Sequence, residues 1–126
     1  MKNLTILNTA SAMAAHASER HGVIARNIAH ADTPGYRTQD LKDFADSYRE
    51  VKTSGLRSTR DDHAFGVHRG LDLRAETVMD TPVAPNGNSV SLEQEMIRMA
   101  ENRHQHELAL SVYKTSMSIL RTSLGR

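Results

Sequence analysis

The 126-residue sequence predicts a mainly α-helical protein in which two long terminal helices flank an irregular middle segment with one short helix. All three prolines and five of the seven glycines lie between Asp32 and Val90, so both ends are depleted in helix breakers. The residues after Ser91 also follow a heptad repeat of mainly apolar side chains, which is typical of a long helix. We therefore expect a single domain in three zones, residues 1–31, 32–90 and 91–126.

The first zone predicts a helix from about Leu4 or Thr9 to Ala31 or Asp32. Alanine, the strongest helix former, is dense there, and apolar residues recur close to every 3.6 positions. The proline after Thr33 disfavours a helical backbone at that residue, and the dipeptide Pro-Gly fits the centre of a type II turn. The recurring residues are Met13, Ala17, Ile24, Ile28 and Ala31.

The middle zone predicts a short amphipathic helix that begins near Asp40. Beyond Ser54 the periodicity decays, which leaves room for short extended pieces at 65–68 and 71–79, and a loop at 81–88 leads into the last helix. The short helix is predicted because five apolar or aromatic residues recur at helical spacing. They are Leu41, Phe44, Ala45, Tyr48 and Val51.

The last zone predicts one helix of more than thirty residues. Ser91 and Gln94 form a capping-box pattern, and Glu93 and Glu95 would lie in the first turn, where acidic side chains favour the helix dipole. A heptad seam runs along this helix with alternating spacings of three and four. Its members are Met96, Met99, Arg103, His106, Leu110, Tyr113, Met117, Leu120 and Leu124.

The composition indicates a small core. Leu, Ile, Val and Phe make up about a fifth of the chain and Trp is absent, so we expect part of the burial to come from partners and the isolated monomer to have frayed ends. A net charge of +1 argues against nucleic-acid binding. No apolar run is long enough to span a membrane or to form a signal peptide, and the absence of cysteine excludes disulfides and thiolate sites.

Catalytic and metal-binding patterns are also absent from the sequence. His104 and His106 would project about 200° apart on a helix and could not share one ion. No nucleophile elbow, Walker loop or dinucleotide fingerprint occurs. We expect no catalytic residue, no metal and no cofactor, and one weak metal site is left open in the middle zone. That site would use His63, His68, Asp61 and Asp62.

Two motifs resemble a known family. Residues 25–37 are similar to the N-terminal signature of the axial proteins of the bacterial flagellum, which comprise the rod, hook and hook-associated proteins. His30 stands where the family usually has Asn. Residues 87–96, followed by 99–102, resemble the C-terminal motif of proximal rod proteins, and residues 40–44 favour one of the short rod subunits. The signature residues are Asn27, Ile28, Ala29, Asp32, Thr33, Pro34, Gly35 and Tyr36.

The resemblance implies a non-enzymatic structural subunit of the proximal rod, which assembles helically and transmits torque across the periplasm. It implies export through the flagellar type III apparatus without a cleaved signal peptide. The implied partners are copies of the chain, the rod proteins FlgC, FlgF and FlgG, the ring–rod adaptor FliE and the export apparatus. Two alternatives stay open: another proximal rod subunit similar to FlgC, and a helical adaptor or chaperone-like partner of the export apparatus.

The resemblance also implies that the two terminal helices pair as an antiparallel coiled coil, with neighbouring subunits covering their remaining faces. We expect one set of apolar residues to form the helix-pairing and subunit interface. The set comprises Met13, Ala17, Ile24, Ile28, Met96, Met99, Leu110, Tyr113, Met117, Leu120 and Leu124.

Overall fold

The computed structural model describes residues 2–54 and 71–125, and the described part of the chain is mainly helical, as predicted. The long terminal helices and the short middle helix are all present. In chain order the elements are α1 (Lys2–Ala29), β1 (Gln39–Asp40), α2 (Phe44–Ser54), β2 (Glu76–Thr77) and α3 (Leu92–Ser123).

Helix α1 ends at Ala29, two or three residues before the predicted end. The backbone tightens there: the amide of Ala31 donates to the carbonyl of Ile28, and the amide of Thr33 donates to that of His30. These bonds span three residues, so the chain leaves α1 through a narrower turn. The predicted position of the helix end is therefore correct to within one turn.

Helix α3 begins and ends with local capping contacts. The hydroxyl of Ser91 accepts a hydrogen bond from the amide of Gln94 at 3.5 Å, so the predicted N-terminal cap is present. At the other end the amide of Gly125 donates to the carbonyl of Thr122, and Gly125 has a φ of +74°, a left-handed conformation that suits glycine. The 32 residues of α3 make a rod about 48 Å long.

Helices α1 and α3 pack side by side as an antiparallel hairpin, which confirms the predicted pairing. Two contacts fix the direction. Asn27, near the end of α1, bonds Glu95 at the start of α3. Ala17, ten residues earlier on α1, is bonded by Asn102, seven residues later on α3.

The middle of the chain packs against α1. Strands β1 and β2 pair antiparallel, with Gln39 opposite Thr77. The predicted helix near Asp40 begins instead at Phe44, because Asp40 lies in β1. Helix α2 contacts α1 through a hydrogen bond of 2.9 Å between the hydroxyls of Tyr48 and Thr9. The extended piece expected at 71–79 contains β2, whereas the one expected at 65–68 lies outside the described residues.

Candidate functional site

The turn that follows α1 has the predicted type II features. The amide of Tyr36 donates to the carbonyl of Thr33 at 3.3 Å, which closes the four-residue turn. Gly35 has a φ of +76°, the positive value that the third position of a type II turn requires. A residue with a side chain would be strained at that position. The Pro-Gly pair therefore fixes the direction in which the chain leaves α1.

The side chain of Asn88 binds the turn that follows α1. Its side-chain amide donates to the carbonyls of His30, Ala31 and Thr33 at 2.9, 3.0 and 2.8 Å. These carbonyls lie just beyond the end of α1 at Ala29. Because Asn88 is buried and lies before α3 in the sequence, it joins the segment before α3 to the turn after α1.

The backbones around Gly35 and Gly87 lie next to each other beside the Asn88 contacts. The amide of Gly35 donates to the carbonyl of Asn86 at 3.0 Å, and the amide of Ser89 donates to the carbonyl of Tyr36, also at 3.0 Å. Gly87 has a φ of +86°, and a Cβ atom on it would lie 3.2 Å from the Cα of Gly35. The two backbones approach closely because Gly87 lacks a side chain, whereas a Cβ atom on Gly35 would meet no atom within 4 Å.

Asn27 joins the turn after α1 to strand β1 and to helix α3. Its amide nitrogen donates to the carbonyl of Gln39 at 2.7 Å and to Oε2 of Glu95 at 3.2 Å. Its Oδ1 accepts from the hydroxyl of Tyr36 at 3.2 Å and from the amide of Gln39 at 3.1 Å. The side chain is fully buried, and both its donor hydrogens and both acceptor positions are used.

The carboxylate of Glu95 lies at the centre of the network, with no exposed surface. Its Oε1 accepts from the hydroxyl of Thr38 at 2.7 Å and from the guanidinium of Arg98 at 2.9 Å. The amide of Thr38 in turn donates to the hydroxyl of Ser89 at 2.8 Å. A buried carboxylate is tolerated when it is paired and hydrogen-bonded, and losing one partner is strongly unfavourable. We call these residues, Asn27, Tyr36, Thr38, Asn88, Ser89, Glu95 and Arg98, the junction.

A second ion pair flanks the junction. Arg20 forms a bidentate contact with Asp40, at 2.9 and 3.1 Å, and Arg98 approaches the same carboxylate at 4.0 Å. Burial acts to lower the pKa of Arg20, but the hydrogen bond and charge of Asp40 outweigh it and raise that pKa above its usual value. The pair attaches β1 to the middle of α1.

The seam between α1 and α3 consists of small and polar side chains. On α3 the buried residues recur every seven positions and differ from the predicted apolar seam by one residue, which is about 100° around the helix. On α1 the side chains of Ala10, Ala17 and Ile24 are buried at the same spacing. The buried residues of α3 are Glu95, Asn102, Ala109 and Ser116.

The predicted helix-pairing and subunit-interface set divides between covered and exposed positions. Ala17 and Ile24 are buried, and Met13, Ile28, Met99 and Leu120 are half-buried. The other five are exposed and lie outside the buried stripe of α3, so their place in a subunit interface stays a prediction. The five are Met96, Leu110, Tyr113, Met117 and Leu124.

The signature residues divide between the junction and the surface. Asn27, Thr33, Gly35 and Tyr36 make the contacts described above. The other four are the half-buried Ile28 and the exposed Ala29, Asp32 and Pro34.

Sequence reasoning missed the polar residues of the junction outside the signature: Thr38, Asn88, Ser89, Glu95 and Arg98. The motif at 87–96 was the available signal, since it contains three of them. The sequence identifies Glu95 only as an acidic residue in the first turn of the helix. A hydrophobic pattern predicts burial for apolar residues and therefore gives no sign that Glu95 is buried.

Two of the described histidines, His16 and His30, have structural contacts. Nε2 of His16 lies 2.7 Å from the carbonyl of Lys42, and the His30 ring stacks on Tyr36 at 4.6 Å. Within residues 2–54 and 71–125, no group of three or more histidine and acidic side chains could hold a metal ion, and no helix has the length and apolar character needed to cross a membrane. The weak metal site left open at 61–68 lies outside the described residues.

The two terminal helices thus form a hairpin that is held at one end by the polar junction and carries exposed apolar side chains on α3, and it presents no catalytic constellation among the described residues. Flagellar basal body rod protein FlgB of Escherichia coli (strain K12) is 33% identical over 104 residues, covering 75% of this chain and 74% of that protein. The Cereibacter sphaeroides (strain ATCC 17029 / ATH 2.4.9) protein of the same name is 32% identical over 83% of this chain and 82% of its own. The Agrobacterium fabrum protein, also named FlgB, is 30% identical over 91% of this chain and 89% of its own length.

The chain belongs to the FlgB family of flagellar basal body rod proteins. No family model matches it. The resemblance found in residues 25–37 and 87–96 is thereby confirmed at the level of the family.

Proposed function

We propose that this chain is a structural, non-catalytic subunit of the proximal rod of the bacterial flagellum, which assembles helically and transmits torque. Its relatives are named flagellar basal body rod proteins. Its function then lies in packing surfaces. The junction sets the angle and register of the hairpin, and the outer faces of the hairpin contact neighbouring subunits.

The observation that supports this proposal is the exposure of large apolar residues along α3. Met96 is 67% exposed and Ile97 53%, although both lie on a helix whose buried positions hold Ala, Ser, Asn and Glu. Contiguous exposed apolar surface on a protein marks an interaction site. Burying such side chains stabilises an assembly by roughly 1.5 to 3 kcal/mol each when they are fully covered.

The proposed location is the periplasmic part of the basal body, which the chain would reach through the flagellar type III apparatus without a cleaved signal peptide. Its neighbours there would be further copies and the other rod proteins FlgC, FlgF and FlgG, with FliE at the membrane ring. The names of the relatives support the basal body as the location.

Replacement of one exposed apolar residue tests the proposal. Leu110→Asp places a charge on the apolar face of α3, where the side chain is 39% exposed, so the hairpin should still fold. We expect export to continue while rod assembly and motility are lost. Ser111→Asp is the matched control, since it adds the same charge at the next, exposed position and should leave motility intact. Circular dichroism of both variants checks that their helix content is unchanged.

Normal motility of Leu110→Asp would refute the interface, and loss of motility in both variants would assign the effect to added charge on α3. Fractionation tests the identity of the assembly. A rod subunit cofractionates with basal bodies, whereas an adaptor or chaperone of the export apparatus would remain in a cytoplasmic complex.

A further inference from the structure

The segment before α3 contains an asparagine that is followed by glycine, Asn86-Gly87. Asparagine is a thermolabile residue. Its loss of ammonia begins with attack by the backbone nitrogen of the next residue, and glycine leaves that nitrogen unhindered because it has no side chain. Asn86 is the one asparagine of this chain that precedes glycine. The other asparagines precede Leu4, Thr9, Ile28, Ser89 and Arg103.

The deamidation of Asn86 needs only water and a base. The backbone nitrogen of Gly87 gives up its proton to the base and bonds to Cγ of Asn86, while the Cγ–Nδ2 bond breaks and ammonia leaves with a proton. Water then opens the resulting five-membered succinimide ring at either of its carbonyls. One opening gives aspartate, and the other gives isoaspartate, in which the main chain runs through Cβ and Cγ. Asn86 is exposed, so water and base reach it in the folded chain.

Hydrogen bonds hold this dipeptide in a tight loop in the folded chain. The amide of Gly87 donates to the carbonyl of Ala84 at 2.8 Å, and the amide of Ala84 donates to the carbonyl of Asn88, also at 2.8 Å. Gly87 has a φ of +86°, and these features together match a type I turn that is followed by a left-handed glycine. The amide that would have to attack Cγ therefore already donates to another group.

Asn86 is held at two further atoms. Its carbonyl accepts from the amide of Gly35 at 3.0 Å, and its Oδ1 accepts from the amide of Asn88 at 3.1 Å. Ring closure requires rotations within Asn86 that bring the nitrogen of Gly87 onto Cγ, and these hydrogen bonds oppose such rotations. A Cβ atom on Gly87 would lie only 3.2 Å from the Cα of Gly35, so the two backbones leave little room. The reaction therefore requires that the loop first opens.

We propose that Asn86 is a site of spontaneous deamidation that the folded junction protects, so that chains which remain unfolded accumulate isoaspartate at this position. Isoaspartate lengthens the main chain by one carbon atom and displaces the acceptor of the Gly35 amide. It also shifts Asn88 relative to the turn after α1 that Asn88 binds. A modified chain then fails to close the junction. The proposal concerns the single chain and does not depend on what the chain assembles with.

Peptide mapping by mass spectrometry tests the site. The purified full chain would be incubated in mildly alkaline buffer, either folded or unfolded in guanidinium chloride, and isoaspartate would be measured with an isoaspartyl methyltransferase. We expect Asn86 to deamidate at least about tenfold faster in the unfolded chain, since reaction in the folded chain waits for the loop to open. Asn88, which precedes serine, is the internal control and should react more slowly than Asn86 in the unfolded chain. Asn86→Gln should stay unmodified at this position, because a six-membered ring closes more slowly.

Equal rates in the folded and unfolded chains would overturn the protection, and equal rates at Asn86 and Asn88 in the unfolded chain would overturn the site. The isoaspartate chain, purified by chromatography and returned to native buffer, should have a lower free energy of unfolding than the unmodified chain. Asn86→Asp adds the same charge on a normal main chain and should be as stable as the wild type. Equal stability of the isoaspartate and unmodified chains would overturn the effect on the junction, and an equally unstable Asn86→Asp would overturn it in favour of an effect of charge.

Discussion

Asn27→Ala should destabilise the isolated hairpin by about 3 kcal/mol. The variant removes all four hydrogen bonds of a fully buried side chain. Loss of a donor to the buried Glu95 carboxylate accounts for about 2 kcal/mol, and the carbonyl and amide of Gln39 lose about 1 kcal/mol each. Tyr36 is half-buried and can bond water instead. The higher helix propensity of alanine offsets about 0.7 kcal/mol of this destabilisation.

Urea unfolding followed by circular dichroism at the helix band measures this loss. Asn8→Ala is the control, because Asn8 is half-buried on the same helix and lies outside the junction. Asn27→Asp separates hydrogen bonding from shape, since it places a second carboxylate where the amide now lies 3.2 Å from Glu95. That variant should be unstable at neutral pH and recover in acid, as one of the two carboxyls takes up a proton. A loss below about 1 kcal/mol for Asn27→Ala, or a stable Asn27→Asp at neutral pH, would refute the reasoning.

Four further variants test local parts of the fold. Gly22→Ala should raise the free energy of unfolding by up to about 1 kcal/mol, because alanine favours a helix and its Cβ would meet no atom within 4 Å. Gly87→Ala should lower the free energy of unfolding by about 1 to 3 kcal/mol, because Gly87 has a positive φ and the backbone of Gly35 lies close to it. Equal effects of the two variants in urea unfolding would contradict this prediction. Ser91→Ala should lower the free energy of unfolding by about 1 kcal/mol, because the hydroxyl that accepts from the Gln94 amide is lost. An unchanged melting temperature would contradict this prediction. Hydrogen bonds from the side chain and the backbone amide of Arg74 hold the pKa of Asp72 below its usual value, so their contribution exists at neutral pH and is lost as pH falls through that range. Nuclear magnetic resonance titration should show that this pKa rises towards its usual value in Arg74→Ala, which keeps the backbone amide but loses the guanidinium.

The sequence predicts the elements well because local chemistry determines them. The cap at Ser91 and the turn at Gly35 follow from single residues with strong conformational preferences, and the structure shows both. The end of α1 follows from the Pro-Gly pair to within one turn. Such features need no knowledge of the rest of the chain.

The seam could not be predicted from the pattern because periodicity identifies residues that share a helix face without identifying the face that meets α1. The heptad through Met96 and Leu110 holds the largest side chains, so the pattern favours it as the pairing surface. The structure pairs α1 with the stripe through Asn102 and Ala109 instead. Small residues permit a closer approach between helices, and volume is not visible in a simple apolar pattern.

The buried polar contacts could not be predicted for a different reason. Polar residues are usually exposed, so a chain-wide pattern gives no ground for burying Glu95 or Asn88. Both are satisfied only by groups that are distant in sequence: Asn27 lies 68 residues from Glu95, and His30 lies 58 residues from Asn88. Their roles become visible only when the two chain ends are brought together.

Different residues set the register of the hairpin and hold an assembly of subunits together. The junction and the bond from Asn102 to the carbonyl of Ala17 are directional, so a shifted register would leave buried polar groups without partners. Apolar contacts are less directional, and on α3 they lie on the outside, where Met117 and Ile119 are 38% and 50% exposed. Variants of the junction should therefore change the stability of the monomer, whereas variants of the exposed apolar residues of α3 should change assembly and leave the hairpin intact. A variant of an exposed apolar residue, such as Leu110→Asp, that unfolded the monomer would show that the two roles are coupled.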